Sequence, residues 1–308
     1  MDIFSLAYAE ALSRFLGSTD YYAPSGLASI RADIAEALSS MRAYSTGRAK
    51  TAYGDALTAL PSRPKLLGTS TKIAKNEKQG YLAAVVYMSP SRESGIFDLC
   101  PNATSACRAA CLGSKAGRMI MTPNRAARLW KTAALAAAPE AWFALLFREI
   151  QALERKAKKA GLTPAVRIDG STDTGIGALV ANSFPNVQFW DYTKSFDRAM
   201  AAIDAPRDNF SITFSGHSKN ASEYREILSR GGNVAMVFAI RPGEALPKHL
   251  NGTPIIDGDL TDARMTDPKG VIVGLRFKAA KDWPSAVRNA IRGGFVLAEG
   301  PMGWGWQG

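Results

Sequence analysis

The chain has 308 residues, 46% of them hydrophobic and 21% charged, and a formal net charge of +11. That composition excludes a disordered or fibrous protein and suffices for one large α/β domain, or for one domain with an accessory piece. The excess of Lys and Arg suits nucleic acid or another polyanion, or marks a merely basic surface, and it says nothing about fold.

Residues 1–62 read as a helical accessory segment ahead of an α/β domain over 63–308. Ala and Leu recur at helical spacing over Met1 to Phe15, Leu27 to Met41 and Lys50 to Leu60, while Gly17, Pro24-Ser25-Gly26 and Thr46-Gly47 interrupt them. Asp2 stands where a signal peptide would have a basic region, and no stretch reaches the roughly 20 apolar residues of a membrane-spanning helix. The expected compartment is a reducing cytoplasm, with no membrane partner.

Pro61 to Gly80 carries Arg63, Lys65, Lys72, Lys75 and Lys78 among small hydroxyl residues. Such a stretch can hold phosphate, but it lacks the spacing of a P-loop and reads as a solvated linker. Tyr81 to Met88 is a continuous apolar run of strand length, expected to be buried on both faces as in a parallel sheet.

Directly after it comes the segment Cys100 to Cys111, which holds all three cysteines, Cys100, Cys107 and Cys111. An odd number excludes a complete set of internal disulfides. Three thiolates leave one corner of a zinc site, or one iron of a cubane cluster, for a histidine (His217 or His249), a water, a substrate or a cofactor. The alternative is that the thiols are small buried apolar groups. The polar neighbours Asn102, Thr104, Ser105 and Arg108 favour the metal.

Thr122-Pro123 opens a helix to about Ala137, and Pro139 starts another that ends in a basic run before Gly161. From there strand, loop and helix repeat, with strands over Ala165 to Ile168, Val187 to Trp190, Phe210 to Phe214, Asn233 to Ile240, Pro254 to Ile256, Val271 to Phe277 and Phe295 to Leu297. The expected fold is α/β: a mostly parallel sheet forming a partial or complete TIM-like barrel.

In such folds the loops leaving the carboxyl ends of the strands build the site. Those loops carry the three cysteines, Asp169-Gly170-Ser171-Thr172-Asp173, Asp191-Tyr192-Thr193-Lys194, Ser215-Gly216-His217, Arg241 and Asp257-Gly258-Asp259. Each has a plainer reading: Asp169 and Asp173 as turn and cap residues, Asp191 and Lys194 as an ion pair, Tyr192 as core, His217 as a loop histidine. Asp257 and Asp259 are too few carboxylates for a cation site. Gly303-Trp304-Gly305-Trp306 reads as an apolar cover for the end of the barrel, or as a platform for bases.

The ordered set Cys100-Pro101-Asn102-Ala103 with Cys107 and Cys111, Val166 to Asp173, Phe189 to Lys194 and Ile212 to Ser215 resembles the bacteriophage gene product 88 domain family, from about Lys65 to Leu297. That resemblance implies a phage or prophage origin, hence a host cytoplasm, and no particular chemistry. In architecture the chain is also similar to radical S-adenosylmethionine enzymes, where the loop after the first strand supplies three cysteines to a [4Fe-4S] cluster whose open iron takes the cofactor. The gaps of six and three residues between the cysteines are wider than is usual there.

The leading expectation is an iron-sulfur protein, as an enzyme a radical S-adenosylmethionine-like one. Cys100, Cys107 and Cys111 are its [4Fe-4S] ligands. Asp169, Asp173, Asp191, Lys194 and His217 surround the open iron, and Gly170, Ser171, Tyr192, Ser215 and Arg241 hold S-adenosylmethionine or another small ligand. The alternatives are a basic nucleic-acid-binding protein with a structural zinc or cluster, and a zinc site completed by His217.

Overall fold

The computed structural model describes residues 3–17, 26–115, 117–279, 282–300 and 303–306. Three helices come first, α1 (Ile3–Gly17), α2 (Gly26–Tyr44) and α3 (Gly47–Ala59). A two-residue strand β1 (Leu67–Gly68) and a short helix α4 (Thr71–Ala74) lead to β2 (Tyr81–Val86). The cysteine segment supplies α5 (Ser105–Ala109) and α6 (Leu112–Lys115), followed by the long helices α7 (Thr122–Ala137) and α8 (Pro139–Ala160). Strand and helix then alternate through β3 (Thr163–Arg167), α9 (Ile176–Val180), β4 (Gln188–Thr193), α10 (Phe196–Asp204), β5 (Phe210–Ser215), α11 (Ala221–Ser229) and β6 (Asn233–Phe238). The chain closes with β7 (His249–Leu250), β8 (Thr253–Asp257), β9 (Ile272–Arg276), α12 (Trp283–Arg292), β10 (Val296–Gly300) and β11 (Gly303–Gly305).

One sheet runs in the order β1-β2-β3-β4-β5-β6-β9-β8-β7, and every pairing from β2 to β8 is parallel. Helices cover one side of its middle strands, and the other side curls round a cavity. The outermost pairings, β1 on β2 and β7 on β8, are short and antiparallel. Among the described residues no ladder joins the two edges, so the sheet is open and the closed form of the expected barrel is not what these strands build.

The departure from a regular winding falls at β6. Strand β9 pairs with Val234 to Phe238 along one edge. The other edge is divided, with β5 on Asn233 to Ala235 and β10 on Val237 and Phe238. Strands β5 and β6 therefore part at their carboxyl ends and β10 enters the gap, tied there by Ser218 N–H donating to the Gly294 carbonyl at 2.9 Å. A parting of neighbouring strands is where an open α/β sheet offers room for a ligand.

The N-terminal helices share one core with the sheet. Ile30, Ile34 and Leu38 recur one turn apart on α2 and are buried. Phe15 of α1 meets Phe147 of α8 edge to face, centroids 4.9 Å apart, and Phe147 meets Phe184 at 4.8 Å. The basic stretch expected as a solvated linker is ordered. Glu149 accepts from the Leu66 and Leu67 N–H groups at 2.8 and 2.7 Å, and Lys131 donates to the Leu66 carbonyl at 2.7 Å. Burial pushes the Glu149 carboxyl up and brings the Lys131 amine down to about 8. Further along, Ile73 and Asn76 are fully buried, and Asn76 Oδ1 accepts from Thr261 and from the Asp262 N–H.

Candidate functional site

The curl of the sheet encloses a cavity of about 370 Å³. Tyr87 after β2, Arg167 on β3, Tyr192 on β4, Ser215 on β5, Val237 on β6 and Arg276 on β9 all reach it. Residues alternate faces along a strand, so each parallel strand presents a side chain to the same space.

The wall is charged. Asp262, 3% exposed, sits between Lys72 at 3.1 Å and Arg167 at 3.2 Å. Burial alone would raise its pKa, but these two cations hold the carboxyl below its usual range. Burial also lowers the Lys72 amine in spite of Asp262. Opposite, Asp259 accepts from Lys278 at 2.7 Å and Arg276 at 3.3 Å, while both Asp257 oxygens lie 2.8 Å from Arg276. Asp257 and Asp259 are thus ion-pair partners. Lys194 lacks such a partner: among the described residues no carboxylate lies within 4.0 Å of its Nζ, which stands 5.9 Å from the Phe295 ring. Arg167 covers the Tyr192 ring at 4.6 Å, and the buried Tyr192 hydroxyl has no hydrogen-bond partner among the described residues.

Cysteines stand at the mouth. Cys107 and Cys111 line the cavity and, with Cys100, also line an adjoining groove of about 260 Å³. Thr104 caps α5 by accepting from Cys107 N–H at 3.1 Å, and Asp98 accepts from Cys100 N–H at 2.9 Å while pairing with Arg108 at 3.0 Å. Cys100 Sγ accepts from Ser91 N–H at 3.2 Å, and Gly113 lies beside the Cys111 thiol with Ser114, whose N–H donates to the Cys111 carbonyl at 3.2 Å. Burial nonetheless pushes the Cys100 and Cys111 thiols up, more than those neighbours bring them down. All three are half-buried free cysteines. Among the described residues no group of three His, Cys, Asp or Glu side chains is set to hold a single metal ion.

Of the residues expected at the site, Gly170, Ser171, Tyr192, Lys194 and Ser215 join Cys107 and Cys111 on the cavity wall. A Cβ on Gly170 would come within 2.7 Å of the Val86 carbonyl, so this loop lies directly on β2. Ser171 donates to the Met88 carbonyl at 2.6 Å.

The carboxylates Asp169, Asp173 and Asp191 form a layer behind the wall. Asp169, 1% exposed, accepts from the Thr172 and Thr174 hydroxyls and the Thr174 and Gly175 N–H groups at 2.6 to 3.0 Å. Asp191 accepts from Asp169 N–H at 2.9 Å, and burial with the neighbouring Asp169 pushes its carboxyl well up. Asp173 takes Arg198 at 2.7 Å and Lys194 N–H at 2.9 Å. His217 caps the turn into α11, its Nδ1 accepting from Lys219 N–H at 3.1 Å. Burial, with Lys194 and Lys219 nearby, lowers it to about 4. Arg241 is exposed and stacks on Trp283 at 4.5 Å. Trp304 packs on Phe238 at 5.4 Å, so the terminal tryptophans cover the core.

Sequence reasoning passed over the inward cations Arg167 and Arg276. Their mark was present: each is a charge inside an apolar strand run, a position that requires a buried partner. Asp262 and Lys278 lie in loops of ordinary composition and carried no mark.

Residues 64–295 match the family described as Gene product 88. No curated protein and no solved structure matches the chain. No helix among the described residues is long and apolar enough to cross a membrane.

Proposed function

The chain belongs to the bacteriophage gene product 88 family, and on that premise we propose that it is an iron-sulfur protein. Cys100, Cys107 and Cys111 would hold a [4Fe-4S] cluster beside the charged cavity. The observation that carries this reading is that all three cysteines line one groove and two of them also line the cavity. In a cubane each thiolate binds its own iron, so the ligands need not converge on one metal position as in a zinc site. The backbone donor to Cys100 suits a sulfur that carries negative charge, and burial keeps the Cys100 and Cys111 sulfurs protonated unless a cation compensates them.

A bound cluster supplies an electron or a Lewis-acidic iron. The chain supplies the rest: Lys194, Ser215 and Tyr192 orient a small polar molecule, and the curled sheet screens it from water. S-adenosylmethionine is the cofactor proposed for an enzymatic role; Gly170, Ser171, Tyr192 and Ser215 would hold it, and the open sheet would then serve as a partial barrel. Anaerobic purification should give brown protein with about four irons per chain and a broad absorbance at about 400 nm. Colourless protein after anaerobic reconstitution overturns the reading.

A second reading, binding of nucleic acid with a structural cluster or zinc, is favoured by the exposed Arg63, Lys65, Lys75 and Lys78 on the segment before β2. It predicts affinity that falls steeply with salt, and absence of binding at low salt removes it.

A further inference from the structure

The cavity has a charge that the cysteines do not explain. Its wall carries five cations, Lys72, Arg167, Lys194, Arg276 and Lys278, and two carboxylates, Asp259 and Asp262. Asp257 grips Arg276 and Asp191 approaches Arg167 Nε at 3.9 Å, both from outside the cavity, so one positive charge remains in excess. An anionic group such as a phosphate monoester, which carries about −1.5 to −2 at neutral pH, complements that charge.

Lys194 and Tyr192 give this surplus an address. Both line the cavity, the amine with no carboxylate in reach among the described residues and the buried hydroxyl with no acceptor. Arg167 Nε, buried beside them, makes no hydrogen bond among the described residues, and Asp191 Oδ1 faces it at 3.9 Å. Buried donors left unpaired are costly, and an anionic oxygen arriving in the cavity would satisfy them. The lining also has an apolar and aromatic part, with Tyr87, Phe277 and Phe295 among Leu112, Val237 and Leu275. Such a surface takes a planar ring. At about 370 Å³ the cavity lies within the roughly 300–1,000 Å³ of small-molecule sites.

We propose that the cavity is a binding site for a small phosphate monoester bearing a planar ring, a mononucleotide by size, with its phosphate on the side of Lys194 and the Tyr192 hydroxyl. The site rests on the cavity alone and does not require the cluster. The cysteines stand at its mouth and the cationic wall behind them, so a ligand seated there lies between the two.

The test is calorimetric titration of the full chain with the four common nucleoside 5′-monophosphates, with the free nucleosides and inorganic phosphate as comparisons. It is run on the native protein and on Cys100→Ser/Cys107→Ser/Cys111→Ser protein. At least one monophosphate should bind one-to-one and about tenfold or more tighter than its nucleoside or phosphate alone, in both proteins. Lys194→Gln should weaken it by about tenfold or more, while Arg241→Gln, outside the cavity, leaves it unchanged. No saturable binding of any monophosphate at millimolar concentration overturns the proposal, as does equal binding by Lys194→Gln and native protein, or equal binding of monophosphate and inorganic phosphate. Loss of iron from the cysteine variant with binding retained separates this site from the cluster, and a native protein without iron that still binds would remove the cluster reading alone.

Discussion

Two polar layers lie at the same end of this sheet and differ in how their groups are satisfied. Behind the wall, Asp169, Asp173 and Asp191 are buried, and Asp169 and Asp173 are enclosed by donors from their own loops and from Arg198. On the wall, Lys194 and the Tyr192 hydroxyl are left without partners among the described residues, and the cysteines are half-buried at an opening. The first layer shapes the loops, and the second is free to meet a ligand. Position at a strand end alone does not distinguish them; the donors that enclose Asp169 and Asp173 do.

Breaking the inner layer should cost stability. Asp169→Ala removes the acceptor of the Thr174 and Gly175 N–H groups and two hydroxyls, with an expected loss of about 4 kcal/mol in urea unfolding. Gly177→Ala should cost about 2 kcal/mol, because a Cβ there runs into Asp191 Oδ2, which is buried without a partner of its own.

His217 lies between the layers, and its effect depends on pH. Its pKa is about 4 in the fold against an ordinary 6.5, so as pH falls from 6.5 to 4 the unfolded chain takes up a proton that the folded one does not. Stability therefore falls over that window and is insensitive to this group above it. His217→Asn keeps a capping acceptor and cannot titrate, so its unfolding free energy should fall less over the same pH range. Parallel slopes for the two proteins would show that His217 is not held neutral.

The outer layer should be nearly silent in stability. Lys194→Ala removes no ion pair, so its expected effect on unfolding is within about 0.5 kcal/mol, while the proposed monophosphate binding should weaken by about tenfold or more. A large loss of stability would place Lys194 in the inner layer instead.

The parallel sheet was legible because strands such as Tyr81 to Val86, buried on both sides, are written as unbroken apolar runs. Its failure to close was not, since the division of one β6 edge between β5 and β10 depends on register, which composition does not encode. The cysteines announced themselves by clustering, and Ser171, Tyr192, Lys194 and Ser215 by following strands. The same rule also gathered Asp169 and Asp173, whose partners are backbone N–H groups invisible in a sequence. Lys72 was hidden in a basic stretch that reads as solvated until Ile73 and Asn76 are seen to anchor it.

The most direct measurement is iron per chain after anaerobic reconstitution, made side by side on native protein, on the triple cysteine-to-serine variant and on Asp169→Asn. The prediction is about four irons in the native protein, close to none in the cysteine variant and a nearly full complement in whatever Asp169→Asn folds. Native protein that takes up no more iron than the cysteine variant would contradict it.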